Sequence, residues 1–385
     1  MTCINLLQRL TEDHFRVALR RCGRPIYDMV SRSALTSEGA HLMRRYCGVV
    51  ARQVPLPAFA AIDLGTNSCR MLIGVPSGRG FRVLDSFSRV VRLGEGLYQT
   101  GILSDTAMLR AINAWEICAE RLRQWQIRDL RAIATEACRQ AENGTNFVHR
   151  ARAETGLPIE IVSPREEITL ALESCASLVC RTKRRALLFD IGGGSTDLAW
   201  VRVPANAESA HRLPELIGSY TIPIGVATLA ERCNGWCETK TGFARVVEEV
   251  RSLLGPFEQT HRISQEIRQG GVRLVGTSGT VTTVAGMALK LQRYQRTLVD
   301  GTVLSQRLFM RGVVSIRSLG REGLAQHPCV GPARADFILP GCAILLAIAA
   351  MWPVQELAVA DRGLREGMLL QLIEAHRRRR RRTKT

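Results

Sequence analysis

The stretch Asp190-Ile-Gly-Gly-Gly-Ser-Thr-Asp197 lies between two short apolar runs, each of which is predicted to be a strand. Its three glycines allow positive φ values and let the backbone approach a ligand without a Cβ in the way. Successive N–H groups in such a turn form an anion-binding concavity. Asp190, at the strand end, is placed to hold a divalent cation. A triple-glycine turn taken alone is also typical of an ordinary tight hairpin.

The same pattern occurs 127 residues earlier, at Asp63-Leu-Gly-Thr-Asn-Ser68, again between two predicted strands. Superposing Asp63 on Asp190 also superposes Gly65 on Gly192. This period is too long for a solenoid. It predicts two similar lobes, each beginning with a strand, a turn and a strand. The two turns would face each other across a cleft, where ligands commonly bind.

A chain of 385 residues also exceeds the roughly 250–300 residues at which a single core stops growing. We predict an α/β fold with lobe I at residues 56–182 and lobe II at residues 183–376. The C-terminal helix of lobe II could pack back on lobe I. Residues 1–55 lack clean periodicity and form an N-terminal extension, either disordered or not part of the natural product. Residues 377–385 form an Arg-rich tail.

The formal net charge is +18, and most of the excess lies at the two ends of the chain. The modestly basic body suits a polyanionic substrate. The tail at residues 377–385 is predicted to be unstructured. Two interpretations stay open for it: a solvated run with no specific partner, or a counter-ion for RNA, lipid or polyphosphate. Nucleic-acid contact through this tail is therefore an open alternative.

Twelve scattered cysteines, several inside apolar segments, are typical of free thiols. Reduced cysteines fit the cytosol, so we expect a cytoplasmic protein. The longest apolar run, Ile338–Trp352, has 15 residues, fewer than the roughly 20 that a membrane-spanning helix needs. It is predicted to be a buried helix, and no spanning segment is expected.

A third Gly- and Thr-rich loop, Gly276-Thr-Ser-Gly-Thr-Val-Thr-Thr283, joins a predicted strand to a predicted helix at Val281–Leu289. Free N–H groups and the dipole at a helix N-terminus favour anions, which makes Gly279 and Thr280 candidate phosphate ligands. Helix capping alone would also explain this composition. The loop is not a P-loop, because no Lys-Ser or Lys-Thr follows the glycine.

Two further segments carry charged candidates. Thr135-Glu-Ala-Cys-Arg139 follows a predicted strand and brings Arg139 toward the cleft, where arginine can pair bidentately with phosphate. Glu166 and Glu167 open a predicted helix, a position where the helix dipole favours carboxylates in any case. The functional alternative is that one of the two is a general base for water.

These motifs, together with Asp361-Arg-Gly-Leu-Arg-Glu-Gly367, resemble in order and spacing the exopolyphosphatase / guanosine pentaphosphate phosphohydrolase (Ppx/GppA) family of the actin-like ATPase superfamily. The resemblance covers residues 59 to about 375 and is to the short form of the family. It implies two RNase H-like lobes. It also implies Mg²⁺-dependent removal of the terminal phosphate of inorganic polyphosphate or of the 5′-phosphate of guanosine pentaphosphate. A homodimer is an open expectation.

By position, the resemblance implies that Glu167 activates water and that Asp190 binds the metal, with Asp197 as a second metal contact. The residues that it implies for phosphate binding are Gly65, Asn67, Ser68, Arg70, Arg139, Gly193, Gly194, Ser195 and Thr196, to which the third loop adds Gly279 and Thr280.

The chain departs from the family pattern at three places. Asp197 stands where the family usually has Glu, Ile168-Thr169 where it often has a small residue and Arg, and residues 1–55 are foreign to it. Two other functions stay open. One is an ATP-using kinase or ATPase of the same superfamily. The other is a non-catalytic binder of guanosine tetraphosphate or RNA.

Overall fold

The computed structural model describes residues 57–179, 183–204, 213–233 and 235–382. Two β-sheets form its framework. The strands of the first sheet are β1 (Ala58–Leu64), β2 (Ser68–Ser77), β3 (Gly80–Val90), β4 (Ile127–Ala134) and β5 (Ile159–Ile161). They lie in the order β3-β2-β1-β4-β5. The first three strands are antiparallel, and β4 and β5 join the sheet in parallel.

The helices of the first half are α1 (Leu97–Thr100), α2 (Asp105–Arg123), α3 (Glu136–Gln140), α4 (Gly144–Thr155) and α5 (Pro164–Val179). The α2 helix begins directly after Ser104, because the Ser104 hydroxyl caps it by accepting a hydrogen bond from the Ala107 N–H at 3.3 Å. With α4, it covers one face of the first sheet, and Ile62 of β1 and Trp115 of α2 belong to the core between them.

The second sheet consists of β6 (Arg185–Ile191), β7 (Thr196–Arg202), β8 (Glu215–Ile222), β9 (Val272–Thr277), β10 (Val303–Ser305) and β11 (Glu356–Ala360). Its order is β10-β11-β9-β6-β7-β8. Without the short antiparallel edge strand β10, this is the order of the first sheet, with the same directions. The prediction of an α/β fold with two RNase H-like lobes is confirmed.

The helices of the second half are α6 (Val226–Cys233), α7 (Lys240–His261), α8 (Ile263–Arg268), α9 (Gly279–Ala288), α10 (Arg296–Val299), α11 (Gln306–Gln326), α12 (Pro332–Met351) and α13 (Leu364–Arg382), with a 3₁₀ turn at Trp236–Glu238. Most of their apolar side chains pack with one face of the second sheet in the largest core of the protein.

The two lobes exchange their last helices. The α5 helix, which follows the first sheet, packs Ile168 and Leu172 against strands of the second sheet. The α13 helix, which follows the second sheet, packs Met368 and Leu369 against the first. The two helices touch closely at Gly367, where a Cβ would lie 2.2 Å from the Leu170 carbonyl oxygen. They therefore form one shared layer between the sheets.

Two predictions about the C-terminal part have clear outcomes. The apolar run is a buried helix, as predicted. Its helix, Pro332–Met351, is long and apolar enough to cross a membrane by length and composition, but 61% of its most apolar window is buried inside the protein. The prediction that the arginine run is unstructured is wrong for Arg377–Arg382, because α13 continues through these residues. Helix propensity explains the difference, since arginine is among the better helix formers.

The described cysteines are all free and buried. They include Cys118 and Cys342, which lie within helices of the two main cores. This agrees with the interpretation of these residues as small hydrophobic side chains. The cytoplasmic location stays a prediction.

Candidate active site between two hairpin turns

The two repeated motifs form two hairpins of the same geometry. Gly65 N–H donates to the Ser68 carbonyl at 3.0 Å, and Gly192 N–H donates to the Ser195 carbonyl at 2.9 Å. Each turn therefore closes with the same bond between equivalent residues. Because both turns join the first two strands of a sheet, the two sheets present them at equivalent places.

The turns meet through Thr66, which is buried. A Cβ at Gly193 would lie 3.1 Å from the Thr66 Cβ, and a Cβ at Gly194 would lie 2.6 Å from the Thr66 Oγ1. Glycine is required at 194 for this approach, because real Cβ atoms are not found so close to another atom. The start of α6 holds the second turn, with Val226 N–H and Ala227 N–H donating to its carbonyls at 2.9 and 2.8 Å.

Three carboxylates line one small cavity beside these turns: Glu167, Asp190 and Asp197. Burial raises the pKa of Asp190 to about 7, and the nearby Asp197 charge adds to the shift. Burial likewise raises the pKa of Asp197 to about 6, although a hydrogen bond from Thr221 at 2.6 Å opposes it. The pKa of Glu167 is raised well above its usual value, first by burial and then by Asp197. The cavity thus brings together three buried carboxyl groups whose pKa values are all raised.

Arg139 connects Glu167 to a second glutamate. One guanidinium nitrogen donates to Glu167 and, at 2.6 Å, to the Val162 carbonyl, while the other donates to Glu136. Glu136 is buried and also accepts from Gln140 at 2.5 Å. It lies close enough to Asp197 to raise the pKa of that carboxyl. Glu136 is a site residue that the sequence reasoning quoted in a motif but gave no role.

Three arginines, Arg70, Arg334 and Arg365, form the basic wall of the site. Burial lowers the pKa of Arg365, and the charge of Arg70 lowers it further, against the opposing effect of Glu366. The side chain of Arg334 is exposed, so its desolvation is partial, but desolvation and the charge of Arg70 both lower its pKa. Arg70 therefore repels the other two cations, and a bound polyanion would relieve that repulsion.

The sequence reasoning assigned no role to two members of this wall. Arg365 lies in the quoted motif at residues 361–367, so its position was visible in the sequence. Arg334 lies in the first turn of α12, and no local signal marked it.

Two other candidates in the first hairpin have clear positions. The Asn67 carbonyl accepts from Val91 N–H at 2.9 Å and from Arg92 N–H at 3.0 Å, which ties the turn to the end of β3. The Asn67 Oδ1 and the Asp63 Oδ1 are both buried with no hydrogen-bond partner in the described part of the chain. Burial raises the pKa of Asp63, while Arg70 lowers it. These oxygens are unsatisfied acceptors at the edge of the site.

Not every predicted phosphate ligand offers a free side-chain donor. The Thr196 hydroxyl is buried and donates to the Ile224 carbonyl at 2.7 Å, so it holds the second hairpin to the segment before α6. Ser195, which precedes it, is also buried and lies beside the Asp197 carboxyl.

The third loop is a capped helix start. Ser278 caps α9 by accepting from Val281 N–H at 3.2 Å. Thr280 packs against α12, where a Cβ at Gly341 would lie 2.2 Å from its Oγ1. Gly279 faces open space. Of the two candidate phosphate ligands from this loop, Gly279 is therefore the one that a ligand could approach.

The carboxylates of the cavity can be compared with the oxygen ligands that Mg²⁺ requires. Within the described residues, no three His, Cys, Asp or Glu side chains form a ready-made metal cage. Mg²⁺ usually keeps several waters and binds through one or two carboxylates together with substrate phosphates. Asp190 and Asp197 are register partners on neighbouring strands, and both face the cavity. These two carboxylates supply hard oxygen donors in the number that a Mg²⁺ site usually takes from the protein, so they fit this ion.

Residues 73–376 match the sequence model of the Ppx/GppA phosphatase family. The chain belongs to this family. A Haemophilus influenzae protein that is provisionally named an exopolyphosphatase is 28% identical over 325 residues, which cover 81% of this chain and 90% of that relative. Membership of the Ppx/GppA phosphatase family supports a hydrolase.

Solved structures of Ppx/GppA proteins share the fold. An exopolyphosphatase-like protein is 27% identical with a TM-score of 0.71, covering 82% of this chain and 97% of its own. The Aquifex aeolicus member of the Ppx/GppA family is 24% identical with a TM-score of 0.66, covering 84% of this chain and 99% of its own. At that identity, the second comparison supports the fold alone.

The structure describes the surroundings of two of the three departures from the Ppx/GppA pattern, since residues 1–55 lie outside the described part of the chain. Asp197 keeps its carboxylate in the cavity, where Thr221 bonds it and Glu136 lies beside it. The Thr169 hydroxyl donates to the Arg165 carbonyl at 2.8 Å, one turn earlier in α5. The Thr169 hydroxyl therefore has its hydrogen-bond partner within its own helix. At this position the chain has a neutral side chain where the family often has an arginine.

Proposed function

We propose that this chain is a phosphohydrolase that removes the terminal phosphate of inorganic polyphosphate or the 5′-phosphate of guanosine pentaphosphate. The single observation that carries the proposal is the cavity that Glu167, Asp190 and Asp197 share. The arginines near the turns supply the cationic surroundings that a chain of phosphates needs. Membership of the Ppx/GppA family supports the same reaction class.

Substrate positioning would come from the two turns and the basic wall. Backbone N–H groups at Gly193 and Gly194 offer donors without a Cβ between them and the ligand. Arg70 and Arg365 offer charge-assisted hydrogen bonds to phosphate oxygens. Positioning and electrostatic stabilisation supply most of the rate in phosphoryl transfer, so these residues are expected to set both affinity and alignment.

Glu167 is the proposed general base. In the structure its carboxylate is held by Arg139, which lowers its pKa, while burial and Asp197 raise that pKa. A terminal phosphate that binds the Arg139 guanidinium would compete with this ion pair. The carboxylate would then keep the influences that raise its pKa, which are burial and the charges of Asp197 and Asp63, and would lose Arg139, which lowers it. Glu167 would thereby become a stronger base when substrate is bound, and one of its oxygens would accept the proton of the attacking water.

Asp190 and Asp197 are the proposed holders of Mg²⁺. When bound, this ion supplies charge neutralisation for the phosphate oxygens. The two carboxylates themselves are mutually destabilising in the cavity, because each anion lies near the other in a buried setting.

The experiment is to compare Glu167→Gln with the wild type for Mg²⁺-dependent phosphate release from polyphosphate and from guanosine pentaphosphate in parallel. We expect turnover to fall by about 10²–10⁴-fold, as for loss of a general base, with polyphosphate binding retained. Glu166→Gln is the matched control, because Glu166 is the adjacent carboxylate and instead binds Arg131. Unchanged hydrolysis in Glu167→Gln would refute the assignment of Glu167 as the general base.

The same assay separates the two other functions. Faster phosphate release or transfer from ATP than from polyphosphate or guanosine pentaphosphate would identify an ATP-using enzyme of the same superfamily. Tight binding of guanosine tetraphosphate or RNA without any hydrolysis by the wild type would identify a binding protein.

A further inference from the structure

A second basic surface lies at the far end of α13, and none of its members belongs to the candidate active site. We call it the distal arginine patch and define it as Arg79, Arg128 and Arg377–Arg382. Arg377 donates to the Gly78 carbonyl at 2.7 Å, which fixes the helix end beside the β2–β3 turn that carries Arg79. The patch is therefore assembled from three separate elements.

His376 marks the centre of this arrangement. It is 5% exposed, and its ring lies 5.5 Å from the Phe59 ring at the start of β1. Arg128, Arg379 and Arg380 all lie close enough to lower its pKa, after burial, which is the largest cause. The arginines of β4 and of the last helical turns thus surround one buried point of the first lobe.

The patch consists of eight cationic side chains, six of them consecutive in the chain. One of these six, Arg378, pairs with Glu374 at 3.1 Å, and Asp129 lies near His376. Arg79, Arg128 and Arg378–Arg382 are exposed. A concentrated surface of one sign attracts a polymer of the other sign and raises its local concentration.

The α13 helix links the patch to the cleft. Leu364, its first residue, lines the carboxylate cavity, and Arg365 belongs to the basic wall. At about 1.5 Å per residue, Arg380 lies roughly 22 Å along the helix from Arg365. One rigid element therefore carries a phosphate-binding end and a polyanion-binding end, separated by a distance that a long polymer can span and a nucleotide cannot.

The composition of the patch favours polyphosphate over RNA. Proteins that bind single-stranded nucleic acid combine basic grooves with aromatic side chains on which bases stack. The patch consists of guanidinium groups, and the exposed large aromatic side chains among the described residues, Tyr98 and Trp236, lie on other elements. Guanidinium groups without a stacking surface match a partner that has phosphates and no bases.

We propose that the distal arginine patch binds the distal part of a long inorganic polyphosphate chain while the chain's end occupies the cleft. This inference rests on the proposed function, because the patch is proposed to bind the same polyphosphate chain whose end lies in the cleft at the other end of α13. It predicts that affinity increases with chain length and that this increase depends on salt.

The test compares the variant R380Q/R381Q/R382Q with the control variant K240Q/R268Q/R307Q, which removes three exposed cations from other elements. Phosphate release is measured with long polyphosphate and with tripolyphosphate. We expect the patch variant to raise KM for the long chain about tenfold, and to reduce the dependence of log KM on log salt by about two, as for three lost phosphate contacts at about 0.7 each. Its kinetics on tripolyphosphate, and the control variant on both substrates, should match the wild type.

Three results would overturn the proposal: an unchanged KM for the long chain, an equal rise for tripolyphosphate, or an equal rise in the control variant. Direct binding of fluorescently labelled long polyphosphate is measured alongside, with homopolymeric RNA as competitor. RNA that displaces polyphosphate at a lower phosphate concentration would assign the patch to RNA instead. If the wild type releases no phosphate from polyphosphate of any length or from guanosine pentaphosphate, the proposed function fails. The binding measurement then decides separately whether the patch holds polyphosphate.

Discussion

Arg70 and Asp197 occupy equivalent positions in the two hairpins, with opposite charge. Arg70 is the register partner of Asp63 across the first turn, and Asp197 is the register partner of Asp190 across the second. The same backbone geometry therefore presents a cation from one lobe and an anion from the other. We propose that the cation of the first hairpin contacts substrate phosphate and that the carboxylate of the second contacts the metal ion.

Replacing Arg70 by Gln is expected to weaken substrate binding. A charge-assisted hydrogen bond to phosphate contributes about 1.5–3 kcal/mol, so KM for polyphosphate should rise about ten- to a hundredfold, with a smaller change in kcat. Steady-state kinetics at fixed Mg²⁺ measure both. Arg82→Gln, an exposed arginine on the neighbouring strand β3, should leave KM unchanged. A normal KM in Arg70→Gln would remove this residue from the proposed substrate contacts.

Replacing Gly194 by Ala is expected to separate the two turns. The added Cβ would lie 2.6 Å from the Thr66 Oγ1 and 3.2 Å from the Glu136 Cγ, so the closed arrangement of the turns would be strained. Turnover should fall by more than about tenfold, because small displacements of positioning groups have large effects on rate. Thermal unfolding should change little, since the lobes keep their own cores. The double variant Gly194→Ala/Thr66→Ala should recover part of the activity, and failure to do so would place the strain elsewhere.

Stability without divalent cations should decrease as pH rises from about 4 to about 7. The folded-state pKa of Asp190 is raised to about 7 and that of Asp197 to about 6, from an ordinary 3.8. In that window the folded protein binds more protons than the unfolded chain, so the free energy of unfolding falls as those protons are lost. Urea midpoints at about pH 5 and about pH 8 with a chelator measure this trend.

Two variants sharpen the pH experiment. Asp190→Asn should flatten the dependence, because the replacement has no proton to lose. Asp105→Asn, which changes an exposed carboxylate at the start of α2, should keep the slope of the wild type. Added Mg²⁺ should restore stability at the higher pH in the wild type and less so in Asp190→Asn. A slope that is the same in all three proteins would contradict the role of the buried pair.

The hairpins and the sheet framework were predictable because their signals are local. Apolar runs of strand length, Gly-rich turns and the Ser104 cap each act over a few residues, and the repeat at Asp63 and Asp190 extended them to two lobes. The helical state of Arg377–Arg382 was not predicted, because a charge run with no apolar face resembles a solvated tail.

The side-chain pairings of the site could not be predicted from the sequence. The Thr196 hydroxyl looks like a phosphate donor within its motif, but in the fold it bonds the Ile224 carbonyl. Glu136 appears as an ordinary helix-start carboxylate, but it shares Arg139 with Glu167. These choices depend on which residues the fold brings together from distant segments. Local composition contains no information on that point.

The exchange of α5 and α13 also has a consequence for synthesis on the ribosome. The first sheet is complete once β5 has been made, but Phe59, Leu72 and Ile133 are covered in part by Met368, Leu369 and Ile373 of α13. These partners are translated some two hundred residues after β5. Until then an apolar face of the first lobe lacks its native cover, and exposed apolar surface of this kind makes a nascent chain prone to aggregation. A helix made long after the first sheet therefore completes the core of the first lobe.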